Sequence, residues 1–409
     1  MQRVYFDHSA TTPVRPEVFE EMQKYLTDYF GNPTSLHYFG RVVRKAIEEA
    51  REKVARAIGA QPNEIVFTSG GTESDNMAIH GVAMINKNRG NHIITSAVEH
   101  HAVLNTVKSL SKQGFTITIL PVDKHGMVDV DDLANAITDK TILVTIMHAN
   151  NEMGTIQPIK ELAALAKSKG ITFHTDAVQT LGKIPVDVNE LGVDLLTISG
   201  HKIYGPKGIG ALYIRKGTRW RQSLFHGGAQ EKLRRSGTEN VPGIVAMGKA
   251  CELAVQELDQ EPAYLKGLRD KLIKEVMDRI PHTRVTGHPT MRLPNHASFT
   301  FEFIEGESML LSLDMKGFAA SSGSACTSGS LEPSHVLLSM GIPHELAHGS
   351  IRITLGRDNK PEDIDSFMEV MPPIVERLRA MSPLDQENEF AIESDCVSCK
   401  ASDTCQRQV

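Results

Sequence analysis

The stretch ITFHTDAVQTLGKIPVDVNELGVDLLTISGHKIYGPKGIGALYIR, residues 171–215, decides the fold. It contains three short runs rich in β-branched and apolar residues, separated by turn and helix signals. Four similar runs precede it from about residue 64, with helical patterns between them. Short runs that alternate with helices in this way predict an α/β fold, in which a mainly parallel seven-stranded sheet has helices on both faces.

The remainder of the chain predicts a second, smaller unit. A long amphipathic helix near residues 240–280 leads to two further strand patterns, HASFTFEF and SIRITLG, and to a final helix near 361–381. We therefore predict a large domain over residues 15–260 and a smaller α+β C-terminal domain formed by residues 1–14 and 261–382. Residues 383–409 are predicted to form a polar, cysteine-containing tail.

Composition argues against several classes of protein. Lys and Arg total 44 against 50 for Asp and Glu, a net charge of -6, and no basic run forms a face suited to nucleic acid. The N-terminus lacks the basic and apolar regions of a secretory signal, and no segment reaches the roughly 18 apolar residues of a membrane span. We therefore expect a cytoplasmic protein that binds neither nucleic acid nor membrane.

The five cysteines, at positions 251, 326, 396, 399 and 405, do not suggest a disulfide framework. Cys251 lies in an apolar helical pattern and is predicted to pack in the core. Cys326 lies in SSGSACTSGS, residues 321–330, which has no large apolar side chain to hold it against a core. We expect this segment to be mobile, as suits a thiol that visits more than one place. The alternative is a flexible linker with an incidental cysteine.

Chemically suggestive residues follow three of the predicted strands. A turn with two glycines, residues 69–73, precedes a helical pattern, and free amides at a helix start favour a phosphate. Asp176 and Lys202 follow two later strands, at the edge where open α/β sheets bind ligands. A lysine in a dry pocket can form a Schiff base, and an acid can keep a pyridine nitrogen protonated. Singly, these residues are typical of turns, caps and surface charges, but together they favour a pyridoxal phosphate (PLP) site.

A set of motifs along nearly the whole chain carries a resemblance to a known family. The motifs are DHSATTPV, FGNPTS, FTSGGTESDN, AVEHHAV, MHANNEMG, FHTDAVQT, SGHKIYGPKG, RRSGTEN, SSGSACTSGSLEPSHV and SIRITLGR. With them the chain resembles the cysteine desulfurases of the NifS/IscS type, within the class-V aminotransferases and the fold-type I PLP enzymes. The resemblance implies that L-cysteine is converted to L-alanine and that a persulfide on Cys326 is passed to iron-sulfur cluster assembly.

The resemblance also implies which residues surround the cofactor ring. Lys202 would carry PLP in the large domain, Asp176 would pair with the pyridine nitrogen, and Gln179 would lie near the ring hydroxyl. His100 would stack over the ring. Asn151 would lie close to both the cofactor hydroxyl and the substrate carboxylate.

The same resemblance implies that the phosphate site of each subunit is completed by the neighbouring subunit. Thr72 with the amide of Gly71, together with Ser199 and His201, would hold the phosphate. Thr238 would reach the phosphate of the neighbouring subunit, so that the active site requires a homodimer. The sulfur acceptor would be an iron-sulfur scaffold protein of the IscU/NifU type.

The expected sulfur chemistry needs a thiol to attack the substrate and a cation to bind its carboxylate. Cys326 would attack the substrate sulfur as a thiolate, and His100 is our candidate for shuttling the proton. In SIRITLGR, Arg352 alternates with apolar residues and so projects from the opposite face of the strand, where a guanidinium can grip a carboxylate. The resemblance assigns Arg352 to the substrate carboxylate. The alternative is a solvated arginine on a half-exposed sheet.

The sequence leaves several questions open. A selenocysteine lyase or another fold-type I PLP enzyme would share Lys202 and Asp176 but would not depend on Cys326, and a cofactor-free scaffold could assemble clusters on its terminal cysteines. No firm metal site is predicted, although Cys326 could ligate an iron-sulfur cluster transiently. The CxxC pair and third cysteine of the tail could bind zinc or a cluster, or could relay sulfur. A housekeeping and a nitrogenase-specific role are both compatible with the motifs.

Overall fold

The computed structural model describes residues 3–221, 224–323 and 332–382. The site prediction for Cys326 lies outside these residues, as do the predictions for the three cysteines of the tail. The described chain begins with a short strand, β1 (Val4–Tyr5), and two helices, α1 (Pro16–Thr27) and α2 (Tyr38–Ala57).

A seven-stranded sheet forms the centre of the molecule. Its strands are β2 (Ile65–Thr68), β3 (His92–Ser96), β4 (Thr116–Leu120), β5 (Thr141–Thr145), β6 (Thr172–Asp176), β7 (Leu195–Ser199) and β8 (Gly210–Ile214). They correspond in order to the seven runs predicted from the sequence. The sheet order is β2-β8-β7-β6-β5-β3-β4, and β8 alone runs antiparallel to its neighbours. The predicted mainly parallel sheet is confirmed.

Helices cover both faces of this sheet. They are α3 (Gly71–Asn86), α4 (His101–Ser111), α5 (Val130–Ala136), α6 (Ile159–Ser168), α7 (Val188–Leu191), the short turn α8 (Gln230–Leu233) and α9 (Val241–Gln256). Consecutive strand residues enter two different hydrophobic clusters: Leu143 and Leu195 pack on one face, and their neighbours Val144 and Leu196 pack on the other. Because both faces of the inner strands are buried, apolar residues follow one another in strands such as β5 and β8, whereas the edge strand β4 alternates Thr with Ile and Leu and is partly exposed.

A second unit has its own small sheets and its own hydrophobic cluster. Its elements are α10 (Glu261–Arg279), β9 (Thr283–Val285), β10 (His296–Phe301), α11 (Gly306–Met315), β11 (Phe318–Ala319), α12 (His335–Ser339), α13 (His344–His348), β12 (Ser350–Thr354) and α14 (Pro361–Met381). Strands β9 and β12 flank β10 in antiparallel pairing, and β1 pairs in parallel with β11. Phe6 from the N-terminal segment joins this cluster beside Phe318 and Phe367. The domain bounds at residues 14, 260 and 382 stay a prediction.

Two sequence patterns that predict helices have different outcomes. The pattern of residues 158–169, with Pro158 near its start and Gly170 just past its end, predicts a helix, and α6 agrees with it. Gly170 has a φ of +68°, as expected of a helix-ending glycine. The single long helix near 240–280 is wrong, because α9 ends at Gln256 and α10 begins at Glu261. Pro262 lies in the first turn of α10, where its missing N–H costs nothing, but it could not continue a helix from α9.

The fold brings the ends of the central strands to one edge, which faces the second unit. Residues 7–12 cross this edge: the Thr354 carbonyl of β12 accepts from the amide of His8, and the Thr354 hydroxyl accepts from the amide of Ser9. The same N-terminal segment therefore contacts both hydrophobic units. None of the helices in the described part of the chain is long and apolar enough to cross a membrane.

Candidate active site

The predicted site residues of the large sheet gather at the carboxyl ends of its central strands. Asp176 and Ser199 are the last residues of β6 and β7, and Lys202 lies in the helical turn that follows β7. His100 is the N-cap of α4, after β3. Burial raises the pKa of Asp176 and lowers the pKa of His100, and the positive charge of Lys202 makes a smaller, lowering contribution to each, which requires the three groups to be near one another. The structure therefore brings these predicted residues together.

The Lys202 amine is held by the N-terminal segment. Its Nζ donates hydrogen bonds to the backbone carbonyls of Ser9 and, at 2.7 Å, of Ala10. Gln179 Nε2 donates to the same Ser9 carbonyl at 3.0 Å. One backbone oxygen thus joins two of the residues that the sequence assigns to the cofactor.

Asp176 belongs to a group of buried carboxyls. Burial raises the pKa of Asp176 to about 6, although the amide of Val178 donates to its Oδ1 at 2.9 Å. Asp75 in α3 is buried beside it, and burial together with the Asp176 charge raises the pKa of Asp75 well above its usual range. Burial also raises the pKa of Glu99 to about 8. A cation bound against Asp176 would relieve this crowding of negative charge.

His100 is arranged as a hydrogen-bond donor. Its Nδ1 accepts a hydrogen bond from the Ala102 amide at 3.1 Å, so the neutral ring must carry its proton on Nε2. Burial, with a smaller contribution from the Lys202 charge, lowers the pKa of His100 to about 4. The imidazole is therefore neutral at physiological pH and presents an N–H group rather than a lone pair.

Three of the predicted phosphate residues, Gly71, Thr72 and Ser199, lie at the start of α3. No described side chain caps this helix at Gly70, so the amides of its first turn remain open to an anion. A Cβ at Gly71 would lie 3.8 Å from the Cβ of Ser199. The buried Ser199 hydroxyl has no hydrogen-bond partner among the described residues. One side of the His201 ring is directed away from the start of α3, because its Nδ1 contacts the Thr11 hydroxyl at 3.1 Å.

Arg352 lies in a buried position rather than on a solvated surface. Only 2% of its surface is exposed, since both faces of β12 are covered. Its Nη1 donates to the Asn151 carbonyl at 3.0 Å, and its Nη2 donates to Asp7 Oδ1 at 2.9 Å. Its Nε has no acceptor within the described part of the chain. A carboxylate ligand could use this remaining donor.

Comparison with known proteins identifies the family. A sequence profile described as Aminotransferase class-V matches residues 4–367. The chain belongs to the class-V aminotransferases. Cysteine desulfurase IscS of Methanosarcina thermophila is 59% identical to it over 381 residues, which are 93% of this chain and 94% of the relative. The protein of the same name from Dictyoglomus turgidum is 59% identical over 386 residues, 94% of this chain and 98% of the relative.

Solved structures agree with this result. A NifS-like protein matches this class-V aminotransferase with a TM-score of 0.87 at 41% identity, covering 92% of this chain and 100% of the other. SspA in complex with cysteine matches with a TM-score of 0.77 at 37% identity, covering 86% of this chain and 98% of the other. The resemblance to the NifS/IscS type and the fold-type I class are both confirmed.

The residues of this class-V aminotransferase fit PLP, the cofactor typical of the family. The unpartnered Ser199 hydroxyl and the uncapped start of α3 suit a phosphate. The buried Asp176 carboxyl suits a protonated pyridine nitrogen, and the Lys202 amine lies near it. Which residues contact the cofactor stays a prediction.

Two of the predicted site residues, Thr238 and Cys326, are not among those that the described structure brings together near Lys202. Thr238 is exposed and lines a surface pocket with Ser69, Gly208 and Arg235. Its predicted role needs a neighbouring subunit. Cys326 lies outside the described residues. Among the residues that are described, no group of three or more His, Cys, Asp or Glu side chains could hold a metal ion.

Sequence reasoning missed several residues at the site. Asp7 pairs with Arg352, and the carbonyls of Ser9 and Ala10 bind Lys202, although DHSATTPV was only noted as a motif. The buried Glu152 follows Asn151 and accepts a hydrogen bond from Ser334. Glu152 could have been found in the sequence, because it is an acidic residue inside the motif MHANNEMG and follows Asn151, to which a role was assigned. The carbonyls of Ser9 and Ala10 could not, because a backbone carbonyl is present in every residue and gives no side-chain signal.

The raised pKa of Asp176 predicts how stability depends on pH when the cofactor is absent. A carboxyl whose pKa rises from 3.8 to about 6 on folding stabilises the native state fully below its unfolded pKa, and this contribution is lost as pH rises through 6. We expect Asp176→Asn to stabilise the apoprotein at about pH 7 by on the order of 2 kcal/mol, and much less at about pH 4. Urea unfolding at both pH values measures this difference. Asp139→Asn, on the surface, is the control, and an equal gain from Asp176→Asn at both pH values would contradict the prediction.

Proposed function

We propose that this protein is a cysteine desulfurase that binds PLP at Lys202 and transfers the sulfur of L-cysteine to Cys326. One observation carries the proposal: the chain that leads into the cysteine segment is paired with the candidate substrate arginine. Ser321 and Arg352 exchange backbone hydrogen bonds of 3.3 and 2.6 Å. The names of the two IscS relatives support the same activity.

The residues on either side of segment 324–331 add support. A Cβ at Gly323 would lie 2.7 Å from Glu152 Oε2, and the Ser334 hydroxyl donates a hydrogen bond to that same oxygen. The charge of Arg352 lowers the pKa of Glu152, although burial raises it overall to about 7. Both flanks therefore meet near Arg352.

The proposed reaction needs no external oxidant or reductant. The thiolate of Cys326 attacks the sulfur of L-cysteine, an S–S bond forms, and the Cβ–S bond of the substrate breaks. The electron pair of the broken bond stays on the substrate and takes up a proton at Cβ. The products are L-alanine and a Cys326 persulfide, and all atoms of the two starting thiols are accounted for.

Lys202 acts at the α-carbon of the substrate, and Asp176 acts at the ring nitrogen of the cofactor. PLP, when bound, withdraws electrons from the substrate α-carbon. The Lys202 amine takes a proton from that carbon and later returns one, and the nearby Ser9 and Ala10 carbonyls keep the amine positioned. Asp176 supplies the negative charge that holds a proton on the ring nitrogen.

His100 would relay a proton through both of its ring nitrogens. A neutral imidazole does not release its last proton, so the ring must gain a proton at Nδ1 when it gives up the one on Nε2. Because Nδ1 accepts a hydrogen bond from the Ala102 amide, uptake of a thiol proton there requires this hydrogen bond to open. His100 would then act as the proton shuttle that the sequence analysis proposes.

Arg352 and Asn151 would hold the substrate carboxylate. The free Nε–H of Arg352 can donate to it, and Asp7 must then share the guanidinium with the substrate. Burial of Arg352 and Asn151 strengthens their hydrogen bonds to the carboxylate, because few water molecules compete for the donors. An amino acid would therefore bind with its carboxylate toward β12 and its amine toward Lys202.

A homodimer is supported by an exposed aromatic patch, defined as Phe30, Leu36, Tyr38 and Phe39. The rings of Phe30 and Phe39 stack at 5.4 Å, and 89% of the Leu36 surface is exposed. Contiguous apolar surface of this kind marks an interaction site, and a second copy of the chain is its simplest occupant.

The aromatic patch adjoins the segment that contains Thr238. Arg44 Nε donates to the Pro33 carbonyl at 3.3 Å, and Arg44 Nη1 pairs with Glu239 at 3.4 Å. Thr238 is therefore at the edge of the proposed dimer surface, as its role at the phosphate of the neighbouring subunit requires.

The class of sulfur acceptor follows from the proposed activity. A persulfide on Cys326 would pass to an iron-sulfur scaffold protein of the IscU/NifU type, because such a scaffold needs sulfur in a transferable form. A cytoplasmic location stays a prediction from the sequence.

Loss of the Lys202 amine should stop turnover. We expect Lys202→Ala to lower the rate of L-alanine formation from L-cysteine by at least about 1000-fold, because the Lys202 amine is the group that moves the α-carbon proton in the proposed scheme. Lys207→Ala, which changes an exposed lysine of the same loop, is the matched control and should keep most of the activity. Equal activity of both variants would overturn the assignment.

The persulfide should form on Cys326 and not on Cys251. Cys251 is fully buried, and burial raises the pKa of its thiol to about 12, so it carries almost no thiolate. Mass spectrometry of peptides after addition of L-cysteine should locate one extra sulfur atom at Cys326. Cys326→Ala should lose it, and Cys251→Ala should keep it. Full desulfurase activity of Cys326→Ala would instead favour a selenocysteine lyase or a related enzyme.

A charge in the aromatic patch should separate the subunits. We expect Leu36→Glu to shift the protein from dimer to monomer in sedimentation velocity, because the carboxylate would be buried without a partner. Met315→Glu is the control, since Met315 is 81% exposed on α11, away from the patch. A wild-type monomer, or a dimer that is unchanged by Leu36→Glu, would exclude this surface.

A further inference from the structure

Lys183 is a buried lysine that the proposed mechanism does not use. Its side chain is 8% exposed, and it follows Gly182, which has a φ of +76°. Its Nζ donates to the Gln179 backbone carbonyl at 3.2 Å and to Gln179 Oε1 at 3.4 Å. Within the described residues, no carboxylate forms an ion pair with it. A buried amine without an acid partner is costly, and such groups occur mostly at functional sites.

The two bonds connect Lys183 to the candidate active site. Because Gln179 Oε1 accepts from Lys183, the amide group of Gln179 must face the other way, where Nε2 donates to the Ser9 carbonyl. That carbonyl also accepts from Lys202. The contacts therefore form a continuous series from Lys183 through Gln179 and Ser9 to Lys202.

We propose that Lys183 is a positioning residue, which fixes the orientation of the Gln179 carboxamide and places a second positive charge behind the Lys202 amine. The inference rests on the proposed function, in which Gln179 lies near the cofactor hydroxyl. With its oxygen held by Lys183, Gln179 presents an N–H donor to that hydroxyl. Without Lys183, the carboxamide can rotate and present its oxygen instead.

The electrostatic surroundings set the pH range in which Lys183 carries this charge. Burial lowers the pKa of Lys183 to about 7, with a further contribution from the Lys202 charge, whereas Glu261 opposes the shift. The positive charge is therefore present below about pH 7 and is lost above it. Burial lowers the pKa of His201 and His8, and the Lys183 charge makes a smaller contribution in the same direction, which places it near both rings. The cavity that Lys183 shares with Lys202 is lined by the titratable or charged groups His8, Arg15, Tyr204, Glu257 and Glu261.

The purely structural alternative makes a different prediction. A lysine that only fills a cavity would be replaced by methionine without effect on the cofactor, and removal of a buried charge would stabilise the apoprotein. A positioning lysine would also permit folding after this replacement, but the bound cofactor would change. Measurements on the cofactor therefore separate the two roles.

The experiment compares Lys183→Met with wild-type holoenzyme in two measurements other than turnover. We expect the cofactor to dissociate about tenfold faster, as for the loss of one hydrogen bond of ordinary strength. We also expect the pH midpoint of the visible cofactor band to rise by about half a unit or more, because a nearby positive charge has been removed. Lys124→Met, at an exposed position, is the matched control and should change neither value.

A double-mutant cycle tests whether Lys183 acts through Gln179. In a Gln179→Ala background, Lys183→Met should change the dissociation rate by less than about twofold, because the group that it orients is gone. An undiminished effect in that background would overturn the positioning role. If Lys183→Met does not fold, Lys183→Gln replaces it, since this variant keeps a polar donor but no charge.

Failure of the inference can be distinguished from failure of the proposed function. A wild-type protein that binds no PLP would overturn both. A wild type that binds PLP, together with a folded Lys183→Met that matches it in dissociation rate and pH midpoint, would overturn the role of Lys183 alone.

Discussion

The Ser9 carbonyl is the acceptor on which the candidate site depends. It receives hydrogen bonds from Lys202 and Gln179, and its own chain segment is joined to β12 through Thr354. The N-terminal segment thus fixes the positions of the amine, the carboxamide and the second unit relative to one another. A backbone oxygen suits this task because its position is set by the fold rather than by a rotatable side chain.

Buried charge is the second constraint. Asp75, Glu99 and Asp176 lie in the interior without a full complement of cations, and burial raises the pKa of each. Lys202 and Lys183 provide positive charge nearby, and burial lowers the pKa of Lys183 to about 7. This arrangement costs stability in the apoprotein, and a bound cofactor with both a cationic nitrogen and an anionic phosphate would compensate for it.

Some of these features were readable in the sequence and others were not. The seven strands were predicted correctly because each is a short run rich in β-branched and apolar residues between turn signals. The sequence analysis missed the break between α9 and α10. The apolar pattern of the sequence continues past Pro262, but the helical backbone ends at Gln256 and begins again at Glu261. Arg352 was assigned to the substrate by resemblance, but its burial and its pairing with Asp7 come from the packing of β12 against the N-terminal segment.

The sequence by itself determined the fold class, the family and the candidate residues Lys202, Asp176 and Cys326, because these depend on local periodicity and on motifs of adjacent residues. Only the tertiary structure decided the proton position on His100, the pairing of Arg352 and the series of contacts from Lys183 to Lys202. These depend on which groups from distant parts of the chain meet in space and on how much water they lose there. Neither the contacts in space nor the loss of water can be read from the order of the residues alone.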